Sequence, residues 1–124
     1  MARRVLVVED EADLATTCAR LLRWQGCDVV CADSRQAALW AIHTEPFALV
    51  ITDLRLPDGD GLDVVRAARR IPTPTPVIVF TAFVSESSRR AALEAGASEY
   101  LGKPFSVDAF RAVVGRTLPP APAA

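Results

Sequence analysis

Four short apolar runs in this chain each stop on a chemically capable residue. Val5-Leu6-Val7-Val8 ends at Glu9-Asp10, Ala48-Leu49-Val50-Ile51-Thr52 at Asp53, Val77-Ile78-Val79-Phe80 at Thr81, and Tyr100-Leu101-Gly102 at Lys103. Short unbroken apolar runs read as strands buried on both faces, the situation of a parallel sheet. Parallel strands all finish along one edge, and ligands bind there. Glu9, Asp10, Asp53, Thr81 and Lys103 are therefore expected to converge, although they are far apart in sequence. Lys103 stands out further because it is the sole lysine; the other basic residues are all arginine.

Between these runs lie helical stretches, and alternation of the two is the signature of a parallel α/β domain. Leu14, Cys18, Leu21 and Leu22 share a helical face that Gly26 terminates. Asp28 to Ala32 reads as a less apolar strand at a sheet edge. Ser34 caps a second helix carrying Ala37, Ala38, Ala41 and Ile42, which Pro46 stops. A flexible acidic turn, Asp58-Gly59-Asp60-Gly61, precedes a third helix over about Leu62 to Arg70, with Leu62, Val65 and Ala68 as its apolar stripe. Pro72, Pro74 and Pro76 force an extended connector. Ser85 to Ser88 open a fourth helix ending at Gly96. Ser106 opens a fifth, with Val107, Phe110, Val113 and Val114 facing inward. The count is five strands and five helices, and right-handed crossovers put helices on both faces.

The chain has 124 residues, of which 51% are hydrophobic, consistent with one compact domain and a sizeable core. Its longest apolar runs are far too short to span a membrane. Met1-Ala2-Arg3-Arg4 carries the charge of a signal peptide, but the apolar run behind it stops at Glu9. A cytoplasmic location is expected. The net charge of −1, with no basic run beyond Arg-Arg pairs, gives no sign of nucleic-acid binding. Cys18, Cys27 and Cys31 lack metal-ligand spacing and read as small apolar residues in a reducing compartment. His43 reads as a helix-surface residue, and Trp24 and Trp40 as packing residues on helices. Leu118-Pro119-Pro120-Ala121-Pro122 has too many prolines for a helix, so 119–124 reads as a Pro/Ala-rich tail or the start of a linker.

The strand order of flavodoxin-like doubly wound sheets, 2-1-3-4-5, is adopted by analogy. It opens a crevice between strands one and three that Glu9, Asp10 and Asp53 would line. Two carboxylates about 5 Å apart at an effective dielectric near 20 repel by roughly 3 kcal/mol. Either one stays protonated or a cation joins them. Lys103 supplies one positive charge and a divalent ion would supply two. The donor set is all oxygen, which favours magnesium, with manganese as substitute, over zinc. The acidic loop Glu9-Asp10-Glu11-Ala12-Asp13 repels phosphate, so a flavin or nucleotide bound in the usual way is not expected. A carboxylate beside a metal, a lysine and a hydroxyl can accept a phosphoryl group. Asp53 would attack phosphorus, while Lys103 and Thr81 held the phosphoryl oxygens. Taken singly, Asp10 or Asp53 could cap a helix, Thr81 could satisfy a strand end and Lys103 could be a surface residue. Glu11 and Asp13 read as first-turn acids that suit the helix dipole.

Taken together, Glu9-Asp10, Asp53-Leu54-Arg55-Leu56-Pro57-Asp58-Gly59-Asp60-Gly61, Thr81-Ala82 and Tyr100-Leu101-Gly102-Lys103-Pro104-Phe105 give the chain a resemblance to the receiver domain of two-component response regulators. The resemblance runs from Arg4 to about Leu118, which sets the expected domain at 1–118. It implies that Asp53 is the phosphoacceptor, charged from the phosphohistidine of a sensor histidine kinase or a histidine phosphotransfer protein. It implies magnesium ligation by Glu9, Asp10, Asp53 and the backbone carbonyl of Arg55, and phosphoryl contacts from Lys103, Thr81 and the Ala82 backbone N–H. It further implies a cis Lys103-Pro104 bond and a switch pair, Thr81 and Tyr100. That pair would couple phosphorylation to the face built by helix four, strand five and helix five, where an output domain, an effector or a second copy of the chain would bind. Arg55 and Phe83 occupy the positions that influence how long the phosphoryl group survives. Such a protein phosphorylates and dephosphorylates itself and is not a multiple-turnover metabolic enzyme. A magnesium-dependent phosphoryl hydrolase or nuclease is the alternative, weakened because Arg55 stands where a second strand-end acid would be. A phosphate-independent interaction module is a third, opposed by the intact acids and lysine.

Overall fold

A computed structural model describes residues 3–118. The elements run β1 (Arg3–Val8), α1 (Ala12–Trp24), β2 (Cys27–Ala32), α2 (Arg35–Thr44), β3 (Leu49–Asp53), α3 (Gly61–Arg70), β4 (Val77–Thr81), α4 (Glu86–Ala95), β5 (Glu99–Gly102) and α5 (Val107–Thr117). The five strands form one parallel sheet in the order β2-β1-β3-β4-β5. This is the expected doubly wound (βα)5 arrangement. The tail at 119–124 lies outside the described residues. Among the described residues no helix is long and apolar enough to cross a membrane.

Both sheet faces are covered because successive strand residues point opposite ways. Leu6, Val8, Val50, Val77 and Val79 pack with Ala38 and Ile42 of α2, Val64, Val65 and Ala68 of α3, and Ala92 of α4. Val5, Val7, Leu49, Ile51, Ile78 and Phe80 pack with Cys18, Leu21 and Leu22 of α1 and with Phe110, Val113 and Val114 of α5. The apolar runs are continuous because each strand serves two cores. The register levels the strand ends: Val8 pairs with Thr52, Asp53 with Phe80 and Thr81 with Gly102. The residue after Val8 is therefore level with Asp53, and the residue after Gly102 lies beyond Thr81.

Helix starts follow the capping serines. Ser34 accepts from the Ala37 N–H, Ser85 from Ser88 and Ser106 from Ala109. Gly96 takes the left-handed conformation that ends α4.

Four expectations change. Trp24 and Trp40 do lie on helices, but they are 74% and 69% exposed, so neither is a packing residue. Their helices bury the opposite faces, through Cys18, Leu21 and Leu22 and through Ala38, Ala41 and Ile42. Val107, the first residue of α5, is 49% exposed, because the inward face begins a turn later at Phe110. On α3, Val64 joins Val65 and Ala68 inside, while Leu62 is only half-buried. The acidic turn is a built feature: Arg55–Leu56 and Gly59–Asp60 form a small antiparallel hairpin. Within it, Asp58 accepts from the Arg35 N–H (2.6 Å) and the Gln36 N–H (2.9 Å), which fastens the hairpin to the start of α2.

Candidate functional site

Levelled strand ends bring the expected side chains to one place. Carboxylate oxygens of Glu9, Asp10 and Asp53 all lie within 4.8 Å of one another. Glu9 and Asp53 are buried and Asp10 is exposed. The Lys103 ammonium sits 2.7 Å from Asp53 Oδ2 and also donates to Glu9 Oε1. Lys103 reaches them because its backbone N–H donates to the Thr81 carbonyl (2.8 Å) and its Nζ lies over the Phe80 ring, 4.6 Å from the centroid. The Lys103-Pro104 bond is cis.

The electrostatics are strained by burial and relieved by pairing. Burial pushes the Glu9 carboxyl above its ordinary pKa, against the pull of Lys103 and the Glu11 N–H (3.1 Å to Oε2), and the nearby Asp53 charge adds to the rise. Burial alone would lower the Lys103 pKa, but its hydrogen bonds and charge contacts with Asp53 and Glu9 outweigh that and hold it above the usual lysine value. One ammonium pairs with two of the three acids, which leaves a net negative cluster of hard oxygen donors. Among the described residues the Asp10 carboxylate has no ion-pair partner. This donor set and spacing fit a divalent cation of the magnesium type.

Backbone hydrogen bonds hold the loop that follows β3. Arg55 donates its backbone N–H to Asp53 Oδ1 at 3.2 Å, and Gly61 donates to the Leu54 carbonyl at 2.8 Å. A Cβ on Gly61 would overlap the Asp53 carbonyl oxygen and come within 2.8 Å of Leu54 Cα, so only glycine fits there. Sequence reasoning placed Asp58 and Gly61 in a flexible acidic turn and gave neither a contact of its own. The available signal was a glycine at the first position of a helix, where any better helix former would otherwise serve.

Thr81 is fully buried, and its hydroxyl oxygen accepts from the Phe83 N–H at 3.1 Å. That leaves the hydroxyl proton available as a donor. Ala82 lies in the exposed loop that follows, and it borders a groove with Lys103, Pro104, Phe105, Leu14, Leu21 and Val107. The two loop positions flagged in the sequence meet: the Arg55 guanidinium stacks 3.8 Å from the Phe83 ring centroid. Tyr100 is half-buried against the α2–α4 core, and its hydroxyl meets Ser88 and the Ser85 N–H on α4. His43 is exposed, as expected, with Nδ1 2.7 Å from the Leu39 carbonyl. Cys18 and Cys27 are buried free thiols and Cys31 is an exposed one.

Comparison with known proteins decides the family. The family model described as "response regulator receiver domain" matches residues 5–115. The chain belongs to this family. Receivers are signalling switches of two-component systems rather than metabolic enzymes; they accept phosphoryl groups from histidine kinases and generally bind magnesium. The chain is 41% identical over 108 residues to the KDP operon transcriptional regulatory protein KdpE of Escherichia coli, covering 87% of this chain and 48% of that protein. It is 39% identical over 110 residues to the sensor histidine kinase GacS of Pseudomonas protegens, covering 85% of this chain and 12% of that one. The crystallised signal receiver domain of a LuxO repressor protein from Vibrio parahaemolyticus superposes with a TM-score of 0.88 at 30% identity, covering 94% of this chain and 90% of that one. This receiver thus spans half or less of the curated relatives named here.

Proposed function

We propose that this receiver is switched by a phosphoryl group on Asp53, taken from the phosphohistidine of a sensor histidine kinase or a histidine phosphotransfer protein. One observation carries the reading: a buried aspartate contacts the only lysine of the chain inside a cluster of three carboxylates. Glu9, Asp10, Asp53 and the Arg55 carbonyl would hold magnesium, or manganese in its place, whose charge offsets that of the carboxylate and phosphoryl oxygens. An Asp53 oxygen attacks phosphorus in line. The O–P bond forms, the P–N bond to the donor imidazole breaks, and the product is a mixed anhydride that water later cleaves. Lys103 acts as a point charge on one phosphoryl oxygen. Thr81 donates its free proton to another, and the Ala82 N–H supports it. The apolar groove beside Lys103 gives the donor protein a surface next to the acceptor.

Thr81 and Tyr100 couple this event to the face formed by α4, β5 and α5, where an output domain, an effector or a second copy of the chain binds. The phosphoryl group biases that face only through contacts that differ between its two states. The receiver occupies 1–118 and works in the cytoplasm. The test is incubation with acetyl phosphate and magnesium followed by intact-mass measurement. A single phosphate adduct that disappears in Asp53→Asn and on chelation of the metal is the expected result. Steady phosphate release from a generic ester with no adduct would sink the reading in favour of a hydrolase.

A further inference from the structure

The Tyr100 hydroxyl is one member of a closed set of hydrogen bonds. The Ser85 N–H lies 3.4 Å from Tyr100 Oη, Tyr100 Oη meets Ser88 Oγ, and Ser88 Oγ donates to the Ser85 carbonyl at 3.2 Å. Ser88 has one hydroxyl proton; when the Ser85 carbonyl accepts it, Tyr100 is the donor to Ser88. The circuit runs from the Ser85 N–H to Tyr100, to Ser88, and back to the Ser85 carbonyl, which also accepts the Arg89 N–H at 3.0 Å. It ties β5 to the first turn of α4.

We propose that Ser88 is the positioning residue that holds Tyr100 against α4, and that it sets the bias of the α4–β5–α5 face before any phosphoryl group arrives. For the identity of that face the proposal rests on the reading above. The Ser88 hydroxyl is not what caps α4, because the cap bond runs from the Ser88 N–H to Ser85 Oγ (3.0 Å) and uses only the Ser88 backbone. Removing the hydroxyl therefore opens the circuit and leaves the cap in place. Without Ser88 Oγ the phenol loses its acceptor on α4, and water on the outer side competes for it. The circuit is joined to Thr81 through the intervening loop. Thr81 Oγ1 holds the Phe83 N–H, and two residues later Ser85 supplies the longest bond of the circuit. A movement of Thr81 thus pulls on the loop that ends at Tyr100.

Tyr100 is the only tyrosine in the chain, so its hydroxyl can be followed by peptide mass after brief O-acetylation with N-acetylimidazole. The full chain is compared with Ser88→Ala and Ser88→Thr, each checked by thermal melting. Ser88→Ala is expected to acetylate about fivefold faster, the factor one net hydrogen bond is worth, while Ser88→Thr keeps the wild-type rate. Equal rates for wild type and Ser88→Ala overturn the proposal. So does a Ser88→Thr variant as fast as Ser88→Ala, since the hydroxyl would then be irrelevant. Repeating the series with beryllofluoride and magnesium separates the two readings. Renewed protection of Tyr100 in Ser88→Ala ties the circuit to Asp53. No response to beryllofluoride, with the alanine–threonine contrast intact, sinks the Thr81–Tyr100 coupling and leaves the role of Ser88 standing.

Discussion

Asp10→Asn should make the metal-free protein more stable and the magnesium-loaded protein less so. Asp10 is exposed, and its carboxylate lies within 4.8 Å of those of Glu9 and Asp53. Lys103 pairs with both of those acids, so the three together present about one net negative charge to Asp10. At that separation the repulsion is about 0.9 kcal/mol in water and about 3.5 kcal/mol at an effective dielectric of 20. Asp10 faces solvent, so the lower figure governs, and the amide should gain about 1 kcal/mol. For a domain of this size that raises Tm by about 4 °C. With magnesium the sign reverses. A cation at about a hundred times its dissociation constant stabilises the wild type by about 2.7 kcal/mol, and the variant forfeits most of this. The assay is thermal and urea unfolding of both proteins with and without magnesium chloride, using sodium chloride at matched ionic strength to control for screening. Two results would refute the argument: no gain in the metal-free variant, or an undiminished magnesium gain in it. The first would mean the three acids do not repel as charges; the second would mean Asp10 is no ligand.

Four further outcomes follow from other contacts. Gly61→Ala should lower stability by about 1–3 kcal/mol, the usual cost of forcing an extra methyl into a packed site, and should shift the backbone amide signals of Asp53 and Leu54; unshifted signals would remove the close approach. Arg55→Ala should expose the acceptor by removing the stack on Phe83. The mass adduct should then decay several-fold faster, and an unchanged half-life would dismiss the Arg55–Phe83 cover. Cys31 should be the only thiol that reacts quickly with a disulfide reagent, since it is exposed whereas Cys18 and Cys27 are buried; two or more fast thiols contradict the packing. The Asp58 carboxyl is held below its ordinary pKa by the N–H groups of Gln36 and Arg35. Its stabilising effect is complete above the unfolded-state pKa and is lost as pH falls through the lower folded value. Asp58→Asn should flatten the loss of stability between about pH 5 and pH 2, and an identical acid limb in both proteins would count against the hairpin tie.

The sheet and its edge were legible because one signal fixed both. Continuous apolar runs demand burial on two faces, two-faced burial demands parallel strands, and parallel strands align their ends. Glu9, Asp53, Thr81 and Lys103 followed from that chain of reasoning. Local caps such as Ser34 and Ser106 were legible, but long-range contacts to backbone groups were not. Asp58 binds N–H groups that every residue carries, so nothing in Arg35-Gln36 announces it. Gly61 is explained only by the position of the Asp53 carbonyl. Trp24 and Trp40 misled for a different reason. Aromatic bulk argues for burial on average, but the helical phase puts both on outer faces, and phase was the better guide.

The same register explains why the acids can be held together and why any movement at this edge has to lie elsewhere. Asp53 is paired through β3 to Phe80, and β3 lies between β1 and β4 with side chains locked into both cores. Sliding any of these strands by one residue would exchange what each core receives, Phe80 included, so Asp53 cannot move without disrupting both. A rigid edge of this kind tolerates crowded charge. The segment after β4 is different: Ala82, Phe83 and Val84 are exposed, and the hydrogen bonds that hold it run to single side chains, Thr81 at one end and Tyr100 at the other. Few buried contacts and separately breakable tethers mark the low-stability end of a fold, where conformational change is least costly. A phosphoryl group on Asp53, as proposed, would meet a fixed strand end on one side and a loop held by two breakable tethers on the other.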